Sequence, residues 1–329
     1  MSLINTKKTA FFLKSGAVLP TPPADFVETN DPIVIAPQFA TEEINRVSGK
    51  LNAKDSYVDL CRTKVDFTVL HNMKASSFVS QAFDTLPEYG EMLVIGGFKV
   101  NIGGGAGSET VIYTNNTDEV KKGSAVVYVD GNKFEMTNAL ASALTFDFTI
   151  GKVATLSSQY SGYLDSPEPT PETNPSVTLI DEPLLIVSCA DIYSFDGDVI
   201  PTENVKITTN PEIQDLYTMG GANGIKENFV SDYSLELSAT FRVDSADYAR
   251  EAQNISAGNF KAIVVKIGLD KTSTEINGKS VTFDADLSKT ITYSDTTDKD
   301  TLLRTVTYRL MNDTSNADTA LAITHGFYA

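Results

Sequence analysis

The chain has 329 residues, of which 41% are hydrophobic and 21% charged, enough apolar material for two domains and too little charge for a disordered chain. Its net charge of −17 excludes tight wrapping of nucleic acid, which requires clustered Lys and Arg against phosphate. Tyr, Phe, Val, Ile and Thr dominate the apolar runs and favour sheet, while Trp is absent.

Residues 1–30 carry Lys7 and Lys8, a short apolar patch at Phe11, Phe12 and Leu13, and the cluster Pro20-Thr-Pro-Pro23, so an extended N-terminal arm is expected. The apolar patch is cut short by Lys14, and the chain is read as having neither a signal peptide nor a transmembrane span. A strand is expected over 31–37, then a polar stretch to Val58. Further strands are expected over 65–70, 92–102, 109–114, 125–130, 133–136, 144–150 and 153–163, with a helix over 76–86 stopping before Pro87. Asp130-Gly131 marks a two-residue hairpin turn.

A Pro-rich joint, Ser166-Pro-Glu-Pro-Thr-Pro-Glu-Thr-Asn-Pro-Ser176, follows. Beyond it, strands are expected over 184–188, 205–209, 235–243, 260–267, 279–284, 290–293 and 302–311. A helix is expected over 245–255, ended by Gly258, with a second turn at Asn277-Gly278. The tail 317–329 is apolar and expected to dock on a neighbour or on the chain's own core. Alternation at Val65, Phe67 and Val69 followed by helical spacing is repeated at Leu235, Leu237, Ala239, Phe241 and Val243, again followed by helical spacing. The expected organisation is therefore an arm (1–30), a first module (31–165), a linker (166–183) and a second module (184–329). Net charge is −4 over 1–165, −4 over 166–190 and −9 over 191–329.

Little chemistry is visible. Gly103-Gly-Gly-Ala-Gly107 follows a strand, but Ser108-Glu-Thr-Val-Ile-Tyr113 reads as another strand and not as the helix a phosphate loop needs, so it reads as a hairpin tip. His71 and His325 are far apart in sequence and lack a nucleophile elbow, which argues against a catalytic triad. Asp191, Asp196 and Asp198, and likewise Asp295, Asp298 and Asp300, lack the spacing of a calcium loop and read as solvated turns. Cys61 and Cys189 lack metal-type spacing and read as buried thiols. No catalytic, cofactor-binding or metal-ligating residue is assigned, no cofactor is expected, and an enzyme is the least supported class.

Several stretches resemble the tail tube (major tail) proteins of long-tailed bacteriophages. They are the start Ser2-Leu-Ile-Asn-Thr-Lys-Lys-Thr-Ala-Phe-Phe-Leu-Lys14, Cys61-Arg-Thr-Lys-Val-Asp-Phe-Thr-Val69, the hairpin over 127–134 followed by 144–156, Tyr160-Ser-Gly-Tyr163, Leu216-Tyr-Thr-Met-Gly-Gly221 and Tyr233-Ser-Leu-Glu-Leu-Ser-Ala239. Thr137-Asn-Ala-Leu-Ala-Ser142 departs from the pattern, where a Gly-containing turn is expected. The resemblance implies a mainly β protein with two tandem tail-tube-like sandwich or barrel modules, each with one flanking helix. It implies self-assembly into stacked rings, trimeric with pseudo-sixfold symmetry, around a lumen. The implied partners are further copies of the chain, other tail proteins at the tube ends, and the tape-measure protein and DNA in the lumen without specific binding; no membrane partner is implied. The implied location is the virion, after synthesis in the host cytoplasm. The acidic balance adds the expectation of a negative lumen wall, and the N-terminal arm or the linker is expected to bridge rings. Competing readings are another tail or neck component, such as a terminator, distal tail protein or injection-apparatus tube, and a two-domain β-sandwich binding a surface ligand.

Overall fold

Two of the long strands, Asn132–Thr149 and Lys279–Asp298, organise the molecule, because each bends at bulges and changes neighbours along its length. The computed structural model describes residues 9–35, 38–44, 55–74, 89–103, 110–115, 120–166, 168–177, 184–188, 192–217, 225–244, 248–269, 279–312 and 320–327. Within these residues the chain is mainly β, its strands joined by antiparallel pairings, with two short helices.

In the N-terminal half the strands are β1 (Thr9–Ser15), β2 (Phe26–Val27), β3 (Gln38–Ile44), β4 (Asp55–Asn72), β5 (Phe98–Gly103), β6 (Thr110–Asn115), β7 (Gly123–Val129), β8 (Asn132–Thr149), β9 (Thr155–Leu164) and β10 (Thr170–Pro171), with helix α1 (Gly90–Ile95) between β4 and β5. The C-terminal half holds β11 (Ile192–Phe195), β12 (Asp198–Val199), β13 (Thr202–Tyr217), β14 (Ile225–Arg242), helix α2 (Arg250–Ala257), β15 (Lys261–Leu269), β16 (Lys279–Asp298), β17 (Thr301–Met311) and β18 (Ala322–Phe327).

One run of pairings reads β3-β4-β9-β8-β13-β14-β17-β16. A second reads β12-β11-β15-β16-β18-β6-β5, and β2-β1-β7 extends from the N-terminal part of β8. β8 changes layer across register shifts between Thr137 and Leu140 and between Ala141 and Ala143; β16 does so near its pairing with Lys261 and Ile263. An extra residue bends and twists a strand locally, which lets one strand turn a corner between layers. The separate strands expected at 133–136 and 144–150 are thus one strand, as are those at 279–284 and 290–293. The departure at 137–142 is a bulged passage and not a turn.

The core lies between the layers. Phe11 on β1 meets Phe67 on β4 edge-on at 5.8 Å, Phe283 on β16 meets Phe146 on β8 at 5.0 Å, and Phe195 on β11 meets Tyr308 on β17 at 5.4 Å. Each such aromatic contact adds about 0.5–1.5 kcal/mol to the burial itself. Phe11, Phe12 and Leu13 are all buried and β1 pairs along the whole of β7. The expected arm is therefore a core strand from Thr9 onward, because three consecutive apolar residues find cover on both faces of the sheet: Phe11 and Leu13 in the main core, and Phe12 against Phe26 and Tyr128.

Other expectations differ in detail. Met92 to Ile95 are helical and not strand, since an apolar run buried on all sides reads alike in either conformation. The chain leaves α1 through Gly97 at φ +95°, and a Cβ on Gly96 would lie 1.9 Å from Leu144. Of the strand expected over 31–37, residues 31–35 lie alongside β4 without entering a ladder, and the first paired residues are those of β3. The helix expected over 76–86 and the turn at Asn277-Gly278 lie outside the described residues. The turn at Asp130-Gly131 has both φ angles positive, and Gly258 ends α2 at φ +65°. The Pro-rich joint lies on the β7–β8 hairpin, where Gly131 exchanges hydrogen bonds with Glu172 and Asn174. The apolar tail forms β18 between β16 and β6.

Candidate assembly interface

The edges of β8 and β16 follow one pattern with one difference. On β8, Met136 pairs with Ala125 of β7 on one side and Leu164 of β9 on the other; farther along, Leu144 pairs with Thr209 of β13 and Ser158 of β9. The edge that starts under β7 thus ends under β13. On β16, Ser288 pairs with Lys261 of β15 on one side and Leu310 of β17 on the other. Beyond it, residues 289–298 keep β17, but no described strand takes the opposite edge. Residues 291–298 are exposed throughout, Ile291 at 45% and Tyr293 at 37%.

The ladders behind these edges match rung for rung. Residues 65–72 of β4 pair with 162–155 of β9, and residues 235–242 of β14 pair with 310–303 of β17. The rung that holds His71, Leu156 and Phe146 in the first ladder therefore holds Phe241, Arg304 and Asp295 in the second. Arg304 is only 1% exposed. Its Nε and Nη2 donate to the two carboxylate oxygens of Asp295 at 2.7 and 2.9 Å, and its Nη1 donates to Glu251 Oε2 at 2.7 Å and to the Tyr248 carbonyl at 2.8 Å. The rings of Tyr293 and Tyr248 lie 4.6 and 5.3 Å from the guanidinium. The Arg304 hydrogen bonds hold the Asp295 carboxyl below its ordinary range. This fork ties α2 to the hairpin that carries the open edge. A lone Arg inside an alternating strand gave no sign of it in the sequence.

The residues singled out beforehand are placed as follows. His71 and His325 converge on Tyr89: both are buried, their rings lie 5.6 and 5.5 Å from the Tyr89 ring, and the Tyr89 hydroxyl is 3.2 Å from His325 Nδ1. His71 Nδ1 bonds the Glu28 carbonyl at 2.8 Å. Asp196 sits in the β11–β12 turn at φ +55° and pairs with Lys261, while Asp198 is exposed; Asp191 lies outside the described residues. Asp295 belongs to the Arg304 fork within β16, and only Lys299 and Asp300 form the turn expected over 294–300. Gly103 and Thr110 face each other across the β5–β6 pairing, the hairpin expected around the Gly-rich run, whose tip is outside the described residues. The side chain of Cys61 and the whole of Cys189 are also outside them. Among the described residues no group of His, Cys, Asp and Glu could hold a metal ion, and no helix is long and apolar enough to cross a membrane.

A cleft of about 690 Å³ lies where the two halves meet, lined by Phe148, Val187, Ile200, Phe241 and Arg242 among others. No family model matches the chain, and no curated protein matches it in sequence.

Two outcomes follow from these contacts. Arg304→Ala takes the buried guanidinium from Glu251 and Asp295, leaving Glu251 with Arg250 alone at 2.8 Å, and should cost about 3 kcal/mol in urea unfolding. The triple variant Glu251→Leu, Asp295→Phe, Arg304→Leu, which copies the apolar rung of the first ladder, should recover most of that loss. Burial pushes His325 down to about 3 from 6.5, so it stays neutral in the folded state while the unfolded chain takes up a proton. Its contribution is fully present above pH 6.5 and is lost as pH falls toward 3, at about 1.4 kcal/mol per pH unit. The difference in urea midpoint between the wild type and His325→Gln should therefore shift against the wild type on acidification through that window.

Proposed function

We propose that this chain is a self-assembling tail tube protein built from two tandem modules, each a β-sandwich with one helix, three copies of which close into a ring around a lumen. The observation that carries the reading is the junction of β8 with β13, set beside the vacant matching edge of β16. Strand edges are adhesive, and one left exposed is a pairing site unless charge, proline or a covering element blocks it. Residues 291–298 include Ile291 and Tyr293 among Thr and Ser, with no Pro and no Lys; of their two carboxylates, Asp295 is held by Arg304 and Asp298 sits at the hairpin end.

The receiving edge follows from the same repeat. In the second half, residues 204–209 of β13 pair with 235–240 of β14 and present their other edge to β8. In the first half, the Asn30 N–H bonds the carbonyl of Leu70 at one end of the matching residues 65–70 of β4, and Gln38 stands opposite Lys64 at the other end. Ile33 there is buried as Val205 is, and Val34 is 68% exposed. Pairing of residues 293–298 of one copy with residues 32–37 of the next repeats the internal junction and joins modules head to tail. Such a heterologous contact closes a ring when its rotation divides the circle.

The solvent face of the shared ladder is the proposed lumen wall. Its cross-strand rows are Thr149-Asn204-Thr240-Thr305-Ser294 and Asp147-Lys206-Ser238-Thr307-Thr292. Asp147 stands opposite Lys206, and Glu236 lies 3.7 Å from Arg309. If this face lines the lumen, its wall carries hydroxyls and paired charges beside the negative potential expected from the net charge. Passing DNA meets no cluster of cations to hold it.

In a hairpin closed by two residues, Asp298 and Thr301 exchange both ladder bonds and the next pair, Thr297 and Leu302, does not, so the Thr297 N–H points to the open edge. Thr297→Pro should therefore leave the far-UV circular dichroism and the melting midpoint close to wild type while abolishing the rings or tubes seen by negative-stain microscopy of the concentrated protein. Tubes of normal length from this variant would overturn the edge pairing.

A further inference from the structure

The segment that follows the Pro-rich joint does something at the end of the first ladder that nothing described does at the end of the second. Past the last rungs of β4 and β9, Met73 and Ala154 form a splayed pair. The Met73 N–H bonds the Ala154 carbonyl at 2.8 Å, but the return bond is replaced by an inserted residue. Leu185 donates its N–H to the Met73 carbonyl at 2.9 Å and accepts from the Ala154 N–H at 2.8 Å. Val187 continues the contact, bonded both ways to the 151–152 turn at 2.9 Å, and bridges join Lys74 to Leu184 and Val153 to Ile186. Leu185 and Val187 are buried, with Leu184 and Ile186 turned outward. The chain then crosses into β11 of the second half.

Carrying the ladder match one rung further puts Val243 and Leu302 where Met73 and Ala154 stand. The Val243 N–H bonds the Leu302 carbonyl at 3.0 Å, as in the first half. The return bond from the Leu302 N–H to Val243 is again missing, and no described residue fills the gap as Leu185 does. Val243 and Leu302 are half-buried, beside the exposed Lys299 and Asp300, and nothing among the described residues closes the gap. A backbone donor and acceptor left at a ladder end are groups that a strand-like segment can satisfy.

The occupant follows from position. β1 is to the first half what β11 is to the second: each pairs antiparallel with the strand that opens the long hairpin, and each folds back into a two-residue strand. What precedes β11 is the inserted Leu185; what precedes β1 is Met1-Ser-Leu-Ile-Asn-Thr-Lys-Lys8, with an apolar pair at Leu3-Ile4. Leu185 lies seven positions ahead of β11, and Leu3 six ahead of β1. The linker inserts into the module behind it before entering the module ahead. In the head-to-tail ring proposed above, the module behind the first module is the second module of the neighbouring copy.

We propose that residues 1–8 insert between Val243 and Leu302 of the adjacent copy in the same ring, with Leu3 or Ile4 in the place that Leu185 takes within the chain. The proposal rests on the head-to-tail ring described above and names a second contact that locks it. Each inserted segment adds two backbone hydrogen bonds and one buried aliphatic side chain, so its removal should raise the protein concentration needed for ring formation by roughly tenfold or more.

The test uses full-length chains. Removal of residues 2–8 should preserve the circular dichroism and melting midpoint of the wild type and raise the concentration for ring formation as stated. In a mixture of two differently tagged populations, one carrying Leu3→Cys and the other Asp244→Cys, mild oxidation should give a disulfide between copies, identified by mass spectrometry of the joined peptides. Wild-type rings with unimpaired assembly of the shortened chain, or rings without that disulfide, overturn the insertion and leave the edge pairing standing. Wild-type chains that stay monomeric at every concentration overturn both.

Discussion

A β-sheet cannot leave a long flat edge bare without inviting another strand, and this molecule is organised by how it covers its edges. β8 is covered along one side by β7 and then by β13; β18 closes the gap between β16 and β6; β1 covers β7. These pairings make the two halves one continuous hydrogen-bonded body. Among the described residues they leave β16 beyond Ser288 paired on one side only, as they do β3 and the outer hairpin of residues 210–217 with 225–234. The long strands make this arrangement possible, since bulges let each pass from one layer to the other and expose a fresh length of edge.

The repetition is geometric more than chemical. Eight of the nine rungs of β4 and β9 recur in β14 and β17 in the same register, yet the residues filling one rung have changed from His71, Leu156 and Phe146 to Phe241, Arg304 and Asp295. An apolar contact in one half has become a buried ionic fork in the other, which reaches α2 through Glu251. Replacing hydrophobic packing by a buried charge pair gains little stability and demands fixed geometry. Its place beneath the hairpin carrying Tyr293 suits a contact whose register must be held while a partner strand arrives. If the two halves alternate around a ring, the sixfold character is approximate for this reason as well as for their unequal charge.

Alternation and turn chemistry were legible in the sequence because they are local. Val65, Phe67 and Val69 face the core as their spacing requires, Asp130-Gly131 turns the hairpin, and Gly258 takes the left-handed conformation after α2. The alternation at Leu235, Leu237, Ala239 and Phe241 was legible for the same reason, and these residues too are buried. What escaped was set by partners distant in the chain. The run at Met92 to Ile95 is buried on every side, which erases the difference between helix and strand periodicity. Bulges inside β8 and β16 look like chain breaks when only neighbours are read. His71 and His325 lie far apart in sequence and meet at Tyr89, and Arg304 finds Asp295 only because a hairpin folds between them. Within the arm expected over residues 1–30, Thr9–Ser15 is a core strand, since the apolar content at Phe11 to Leu13 outweighed the prolines that follow it.

The most direct test is a cryo-electron microscopy reconstruction of the protein concentrated until it assembles. Tube assembly through the free edge requires rings of three chains in which residues 293–298 of each copy pair antiparallel with residues 32–37 of the next, with Thr240, Thr305 and Ser294 facing the lumen. Rings closed through any other surface, with residues 291–298 left in solvent, would contradict it.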